Sequence, residues 1–111
     1  MSNHSYSHEA LAWIKQRLDD ADTIISEAEK TAEKLQASTR EEADAALARL
    51  KASREALLKL ERDLRARADA LRDDVEDIQE AAEKEWVEAE TAFQTFLKAA
   101  QDQAGSINDL L

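Results

Sequence analysis

Residues 43–64 run ADAALARLKASREALLKLERDL and decide the fold class of this chain. The less polar residues of this stretch recur every three or four positions. They are Ala43, Ala46, Leu50, Ser53, Leu57, Leu60 and Leu64. This spacing matches the roughly 3.6-residue turn of an α-helix, so these side chains share one face while charged side chains occupy the other. The stretch therefore predicts an amphipathic helix that packs against other helices.

The same stripe continues on both sides of this stretch. Upstream it consists of Leu11, Ile14, Leu18, Ala21, Ile25, Ala28, Ala32 and Leu35. Downstream it consists of Ala68, Leu71, Val75, Ile78, Ala82, Trp86, Ala89, Phe93, Phe96, Ala100, Ala104 and Ile107. The chain has 111 residues with one Gly and no Pro, which is too few turn residues for a sheet protein. We expect an all-α fold with a single domain.

Alanine dominates the apolar residues. Of the 48 residues that make up the 43% apolar share, 22 are Ala. Alanine lets helices approach closely and loses no side-chain entropy, but it contributes less apolar area than Leu. We therefore expect a thin core, and self-association through a leftover apolar strip.

Two places favour a break in the helix. Residues 38–42 contain two overlapping capping boxes, Ser38 with Glu41 and Thr39 with Glu42. Residues 65–74 are poor in large apolar side chains and end with Asp73 and Asp74, which suit the start of a helix. We predict helices over about 8–37, 40–70 and 73–104. Residues 1–7 are expected to be a flexible N-terminus and residues 105–111 a C-terminal tail.

The charge distribution favours a folded bundle over an extended rod. Residues 1–46 and 73–111 are acidic, whereas residues 47–72 carry eight basic and four acidic side chains. Folding at the two breaks lays the basic segment beside both acidic ones, although each exposed pair contributes only a few tenths of a kcal/mol. We predict an antiparallel three-helix bundle. The alternative is a two-helix hairpin in which residues 40–104 form one long helix and the chain dimerises.

Composition excludes several functional classes. The net charge of -10 opposes non-specific binding to nucleic acid. The absence of Cys removes disulfides and thiolate metal sites. The first residues lack the features of a signal peptide, and no apolar run approaches the roughly 18 residues of a membrane span. We expect a cytoplasmic protein.

Sequence patterns for catalysis or metal binding are weak. His4 and His8 have the i,i+4 spacing of two ligands on one helix face, but no third ligand is placed near them. The acidic run over residues 73–90 contains no His, so it predicts a solvated face rather than a carboxylate-bridged metal site. We expect neither an enzyme nor a cofactor.

The basic side chains of the middle segment have two possible partners. They are Arg49, Lys51, Arg54, Lys59, Arg62, Arg65, Arg67 and Arg72. Such a helix can pair with the acidic flanks of its own chain, which we favour, or lie on anionic lipid.

The aromatic residues near the carboxyl end offer a candidate contact surface. The predicted strip consists of Trp86, Val87, Phe93, Phe96 and Leu97. We favour core filling as the main role of these side chains, but the strip is wide for a single seam, so we expect part of it to offer apolar area to a partner helix. We expect a structural or adaptor protein that binds a helical partner or a second copy of itself. The alternative is a surface-active protein whose helices coat lipid or a hydrophobic granule.

Two short resemblances accompany these patterns. Residues 9–18, together with Trp86 and with Val75 eleven residues before it, resemble the tryptophan pattern of spectrin-type three-helix repeats, which implies a three-helix bundle. Residues 92–100 resemble the C-terminal aromatic segment of phasins, acidic helical proteins that coat storage granules. We assign the chain to neither family.

Overall fold

The computed structural model describes residues 3–67 and 71–110, with side chains described over 7–67 and 71–101. It contains three helices: α1 spans Asn3–Ala32, α2 spans Ala37–Ala66 and α3 spans Arg72–Leu110. Each helix packs against the other two. The all-α, three-helix architecture predicted from the apolar stripe is therefore confirmed, and the single long helix over 40–104 is not formed.

The helices run up, down and up along a bundle about 64 Å long and 17 Å wide. One core cluster joins the second half of α1 to the first half of α2 and the second half of α3. The other cluster joins the opposite halves of the same helices. The helix α2 is thus antiparallel to its two neighbours, and α1 and α3 run parallel.

Small residues make up much of the core. Alanines from all three helices are buried, and the largest fully buried side chains are Phe96, Ile14, Leu50, Leu57 and Val75. The helices α2 and α3 make the most extensive contact, where the buried residues Ala46 of α2 and Ala99 of α3 line the same groove. Alanine on both sides allows the two backbones to approach closely.

The first turn comes earlier than the capping boxes predicted. The helix α1 ends at Ala32 and α2 begins at Ala37, so the predicted boundaries at 37 and 40 were wrong. Ser38 and Thr39 lie in the first turn of α2, and Gln36, with extended backbone, precedes that helix. The amide of Leu35 donates to the carbonyl of Ala32 at 3.1 Å, and its half-buried side chain packs on the core. The chain reverses between Ala32 and Ala37, where Leu35 packs on the core.

The second turn also differs in detail. The helix α2 ends at Ala66, four residues before the predicted boundary, and α3 begins at Arg72 with Asp73 and Asp74 in its first turn, as expected. Leu71, predicted in the stripe, is 64% exposed because it precedes α3 and does not share the helical face. Residues 68–70, including Ala68 of the predicted stripe, lie outside the described residues.

The outer helices extend further than predicted. The helix α1 begins at Asn3 rather than at residue 8, and α3 continues past Gly105 to Leu110. One Gly costs a helix only about 1 kcal/mol relative to Ala, which does not end a helix by itself. Flexibility of residues 1–7 and 105–111 stays a prediction.

Charged residues of α2 meet α1 as the charge pattern suggested. Lys51 Nζ lies 3.1 Å from the carboxylate of Glu29, and Arg54 Nε lies 2.8 Å from that of Asp22. The Asp22 carboxylate, which accepts a hydrogen bond from Arg54, raises the pKa of that guanidinium above its ordinary value. These pairs are largely exposed, so they orient the helices more than they stabilise them. Within the described residues, no helix is long and apolar enough to cross a membrane.

Candidate interaction surface

Arg17 of α1 is stacked between two tryptophans from different helices. Its guanidinium carbon lies 5.4 Å from the ring centre of Trp13 and 5.5 Å from that of Trp86. Trp13 precedes Arg17 by four residues, and so lies one turn away on α1. Trp86, on α3, packs against both core clusters. This Trp–Arg–Trp stack ties α1 to α3 near the middle of the bundle.

In the stack, one N–H group of Arg17 faces no hydrogen-bond acceptor among the described residues. Its Nη2 atom lies 3.0 Å from the Asp20 carboxylate, whereas its buried Nε has no hydrogen-bond partner among the described residues. The faces of the two indole rings attract the cation, and this attraction offsets part of the free-energy cost of burying Nε without a hydrogen bond. The i,i+4 spacing of Trp13 and Arg17 was visible in the sequence. The contribution of Trp86 was not visible in the sequence, because it depends on the packing of α3 against α1.

Beside the stack, α1 and α3 enclose an open groove of about 310 Å³. It is lined by Asp20, Thr23, Ile24, Trp86, Glu90, Phe93 and Gln94. Ile24 and Phe93 are half-buried and pack on the core beneath, so they form an apolar floor. The polar residues form the walls. We call this feature the α1–α3 groove.

The structure divides the predicted aromatic strip. Phe96 is only 1% exposed and belongs to the core, so it is not part of a contact surface. Trp86 and Phe93 are half-buried and line the α1–α3 groove. Leu97 is 41% exposed and lies one turn beyond Phe93. At about 100° per residue, Leu97 is only about 20° from Trp86 around the helix, so it lies on the same side of α3, just beyond the residues that line the groove.

Val87, also in the predicted strip, lies elsewhere on α3. It is 58% exposed and about 100° from Trp86 around the helix, so it faces outward rather than into the groove. Which residues of the predicted strip are buried and which are exposed follows from the positions of the core residues on α3. The buried residues of this part of α3 are Ala89, Ala92, Phe96 and Ala99, which leaves Phe93 at the edge. Ile24, which sequence reasoning did not select, completes the floor from α1.

Acidic side chains border the groove. Asp20 and Glu90 line it directly. On the same helix faces, Glu27 follows Asp20 by seven residues and Glu83 precedes Glu90 by seven. Within the described residues, Glu27, Glu83 and Glu90 are exposed and form no ion pair. Asp20 pairs with Arg17, so the unpaired negative charge at this groove is that of Glu90, together with Glu27 and Glu83 on the same helix faces.

A second open groove lies between α2 and α3. It has a volume of about 680 Å³ and a floor of small residues that includes Ala52, Ser53 and Ala56. Its rim mixes both signs of charge, with Arg49 and Lys84 near Glu88. This groove has no large apolar side chain to anchor a partner.

The other predicted sites gain little from the structure. His4 and His8 both lie in α1, but the side chain of His4 is outside the described residues. No group of three His, Asp or Glu side chains in the described part of the chain is arranged to hold a metal ion. Of the basic residues of the middle segment, Lys51 and Arg54 pair with α1, and Arg65 and Arg67 pair with Glu61 and Asp63 on the preceding turn.

Comparison of the chain with protein families, with curated proteins and with solved structures finds no match.

Proposed function

We propose that this protein is a non-enzymatic helical interaction module, an adaptor or scaffold, that binds a partner helix in the α1–α3 groove. One observation supports this proposal above the others: Ile24, Trp86 and Phe93 form an apolar floor between two parallel helices, and exposed Leu97 continues it. Large apolar side chains that line a groove and are bordered by polar residues are typical of sites where an amphipathic helix docks.

The dimensions of the groove suit a short helix. From Trp86 to Leu97 the floor covers eleven residues of α3, or about 17 Å at 1.5 Å per residue. This length corresponds to about three turns of a partner helix, which would place an apolar side chain on the floor at each turn. The Trp–Arg–Trp stack closes the groove at its Trp86 end.

A helix from another protein fits this groove better than a second copy of the chain. Large exposed apolar side chains in the described part are Leu71, Val87 and Leu97, and they are scattered. Stable interfaces usually bury about 800 Å² on each partner. A second copy has its amphipathic faces buried in its own core, with Leu50 and Leu57 fully covered. The occupant we propose is therefore a helix that brings its own apolar face.

The experiment uses Trp86 as the reporter. In a Trp13→Phe variant, which keeps an aromatic ring against Arg17, Trp86 is the remaining tryptophan. The probe is a synthetic peptide of about 18 residues with Leu at helical spacing and Gln or Ala elsewhere. We expect a saturable change in Trp86 emission. Leu97→Ala should weaken binding about fivefold, since part of a Leu side chain loses its burial on the partner.

Leu71→Ala is the matched control because Leu71 is exposed and lies just before α3, far from the groove. It should leave the affinity unchanged. No saturable response, or equal losses from Leu97→Ala and Leu71→Ala, would refute docking in this groove. A mass in solution that doubles with concentration and falls back in Leu97→Ala would instead assign the groove to self-association.

The lipid- or granule-coating alternative requires the bundle to open. Trp86 lies between the two core clusters and would leave them for an apolar surface. Vesicles of anionic phospholipid added to the Trp13→Phe variant should therefore leave the emission of Trp86 unshifted. A blue shift with vesicles, without any response to the peptide, would replace the adaptor proposal with the surface-active one.

A further inference from the structure

We infer that the helix bound in the α1–α3 groove is a basic amphipathic helix, with Lys or Arg on both sides of its apolar face. This inference rests on the proposed function and adds the chemistry of the partner. It follows from the pairing of acidic residues in the bundle: those of α1 that face α2 pair with basic side chains, whereas Glu27 of α1 and Glu83 and Glu90 of α3 form no ion pair within the described residues.

The acidic residues of α1 fall on two sides of the helix. Asp22 and Glu29 face α2, where Arg54 and Lys51 pair with them. Asp20 lines the α1–α3 groove, and Glu27 lies within about 20° of it around the helix, on the same side. The basic residues that pair across helices therefore neutralise the side of α1 that faces α2. Arg17 is the one basic group that the described contacts place near Asp20, and it is held by the tryptophans.

The helix α3 adds further negative charge to the same groove. It carries eleven acidic and three basic side chains. Glu90 lines the groove, and Glu83 lies within about 20° of it around the helix. Neither forms an ion pair within the described residues, and both are exposed. The two walls thus place carboxylates on either side of an apolar floor, which matches Lys or Arg side chains flanking an apolar stripe.

The basic helix of a second copy does not meet this requirement. The apolar side chains Leu50, Leu57 and Leu64 of α2 are buried against α1 and α3. A second copy would therefore present basic side chains without an apolar stripe between them. The partner is a separate helix that offers both features on the same face.

The test compares three peptides with the same Leu positions. Their flanking residues are Lys in the first, Gln in the second and Glu in the third. At about 50 mM salt the Lys peptide should bind at least about tenfold more tightly than the Glu peptide, with the Gln peptide between them. At about 0.5 M salt the difference should shrink severalfold, because exposed charges are screened over a few Å.

A pair of matched variants locates the effect. Glu90→Gln removes a charge from the groove wall, whereas Glu88→Gln removes a charge from the α2–α3 groove on another side of α3. Both residues are exposed, and the two variants have the same net charge. Glu90→Gln should lower the preference for Lys over Glu by about twofold or more, and Glu88→Gln should change it much less.

The outcomes separate the two proposals. If all three peptides bind the groove with equal affinity, docking stands and the basic partner is wrong. If Glu88→Gln lowers the preference as much as Glu90→Gln does, the selectivity comes from overall charge, and recognition by the groove walls is wrong. If no peptide binds, the proposed function and this inference both fail.

Discussion

Replacement of Arg17 by Met tests the stacking of this side chain between Trp13 and Trp86. Methionine keeps an unbranched apolar stem but removes the guanidinium. Each cation–π contact of a partly exposed Arg contributes about 0.5–1 kcal/mol, so the two contacts at 5.4 and 5.5 Å contribute about 1–2 kcal/mol. The buried Nε lacks a hydrogen-bond partner among the described residues, so its removal should stabilise the fold by about 1 kcal/mol. The single variant should therefore lose only about 1 kcal/mol or less.

Because the two effects of Arg17→Met nearly cancel, a double-mutant cycle is the informative assay. The cycle consists of Arg17→Met, Trp86→Leu and the double variant, each unfolded in urea and followed by circular dichroism. Arg17→Met removes the buried Nε whether residue 86 is Trp or Leu, so this effect largely cancels in the cycle. The coupling free energy should therefore approach the free energy of the contact between Arg17 and Trp86, about 0.5–1 kcal/mol. A second cycle with Trp13→Leu should give a similar value.

The control cycle pairs Trp86→Leu with Arg54→Met. Arg54 contacts Asp22 on the side of α1 that faces α2, away from the tryptophans. The two substitutions should be additive within about 0.3–0.5 kcal/mol. Coupling free energies below about 0.3 kcal/mol in both tryptophan cycles would show that stacking does not hold α1 against α3.

Two other predictions concern the core and the exposed ion pairs. Phe96→Ala should lower the free energy of unfolding by about 3–5 kcal/mol because it opens a cavity in the core, whereas Leu97→Ala should cost less than about 1 kcal/mol; equal losses in thermal unfolding would contradict their placement. Arg54→Met should cost less than about 1 kcal/mol, and this cost should be constant from about pH 6 to about pH 9. The hydrogen bond with the Asp22 carboxylate raises the pKa of Arg54 above its ordinary value, which already lies well above this range, so the guanidinium stays charged and its stabilisation is fully present throughout. A cost that changes within this range would contradict the assignment.

Periodicity predicted most of the fold because helical packing reuses the same spacing. In the stretch 43–64, six of the seven stripe residues are buried, and Leu60 is half-buried. The turns could not be placed as well. The hydroxyl groups of Ser38 and Thr39 suit a helix start, but the first turn lies before them, where Leu35 packs on the core. That contact involves other helices and has no local signature.

The candidate surface was predicted in part for a similar reason. The spacing of Trp86, Phe93 and Leu97 on one face of α3 was visible in the sequence. The predicted stripe contained both Phe93 and Phe96, and the sequence did not show that Phe96 is fully buried while Phe93 stays at the edge, because one residue of shift decides which aromatic side chain enters the core. Ile24 and Arg17 belong to α1 and join the surface only through the pairing of two helices.

The alanines between α2 and α3 also set how the chain tolerates mutation. Ala46, Ala92 and Ala99 line the grooves between these two helices and are almost completely covered, and nearly every natural replacement is larger than alanine. A larger side chain has to push two closely approaching backbones apart, whereas a truncation to Gly removes one carbon atom and loosens the helix. At these alanine positions between α2 and α3, only very small residues should therefore be tolerated, while the outward faces of the same helices are free to vary.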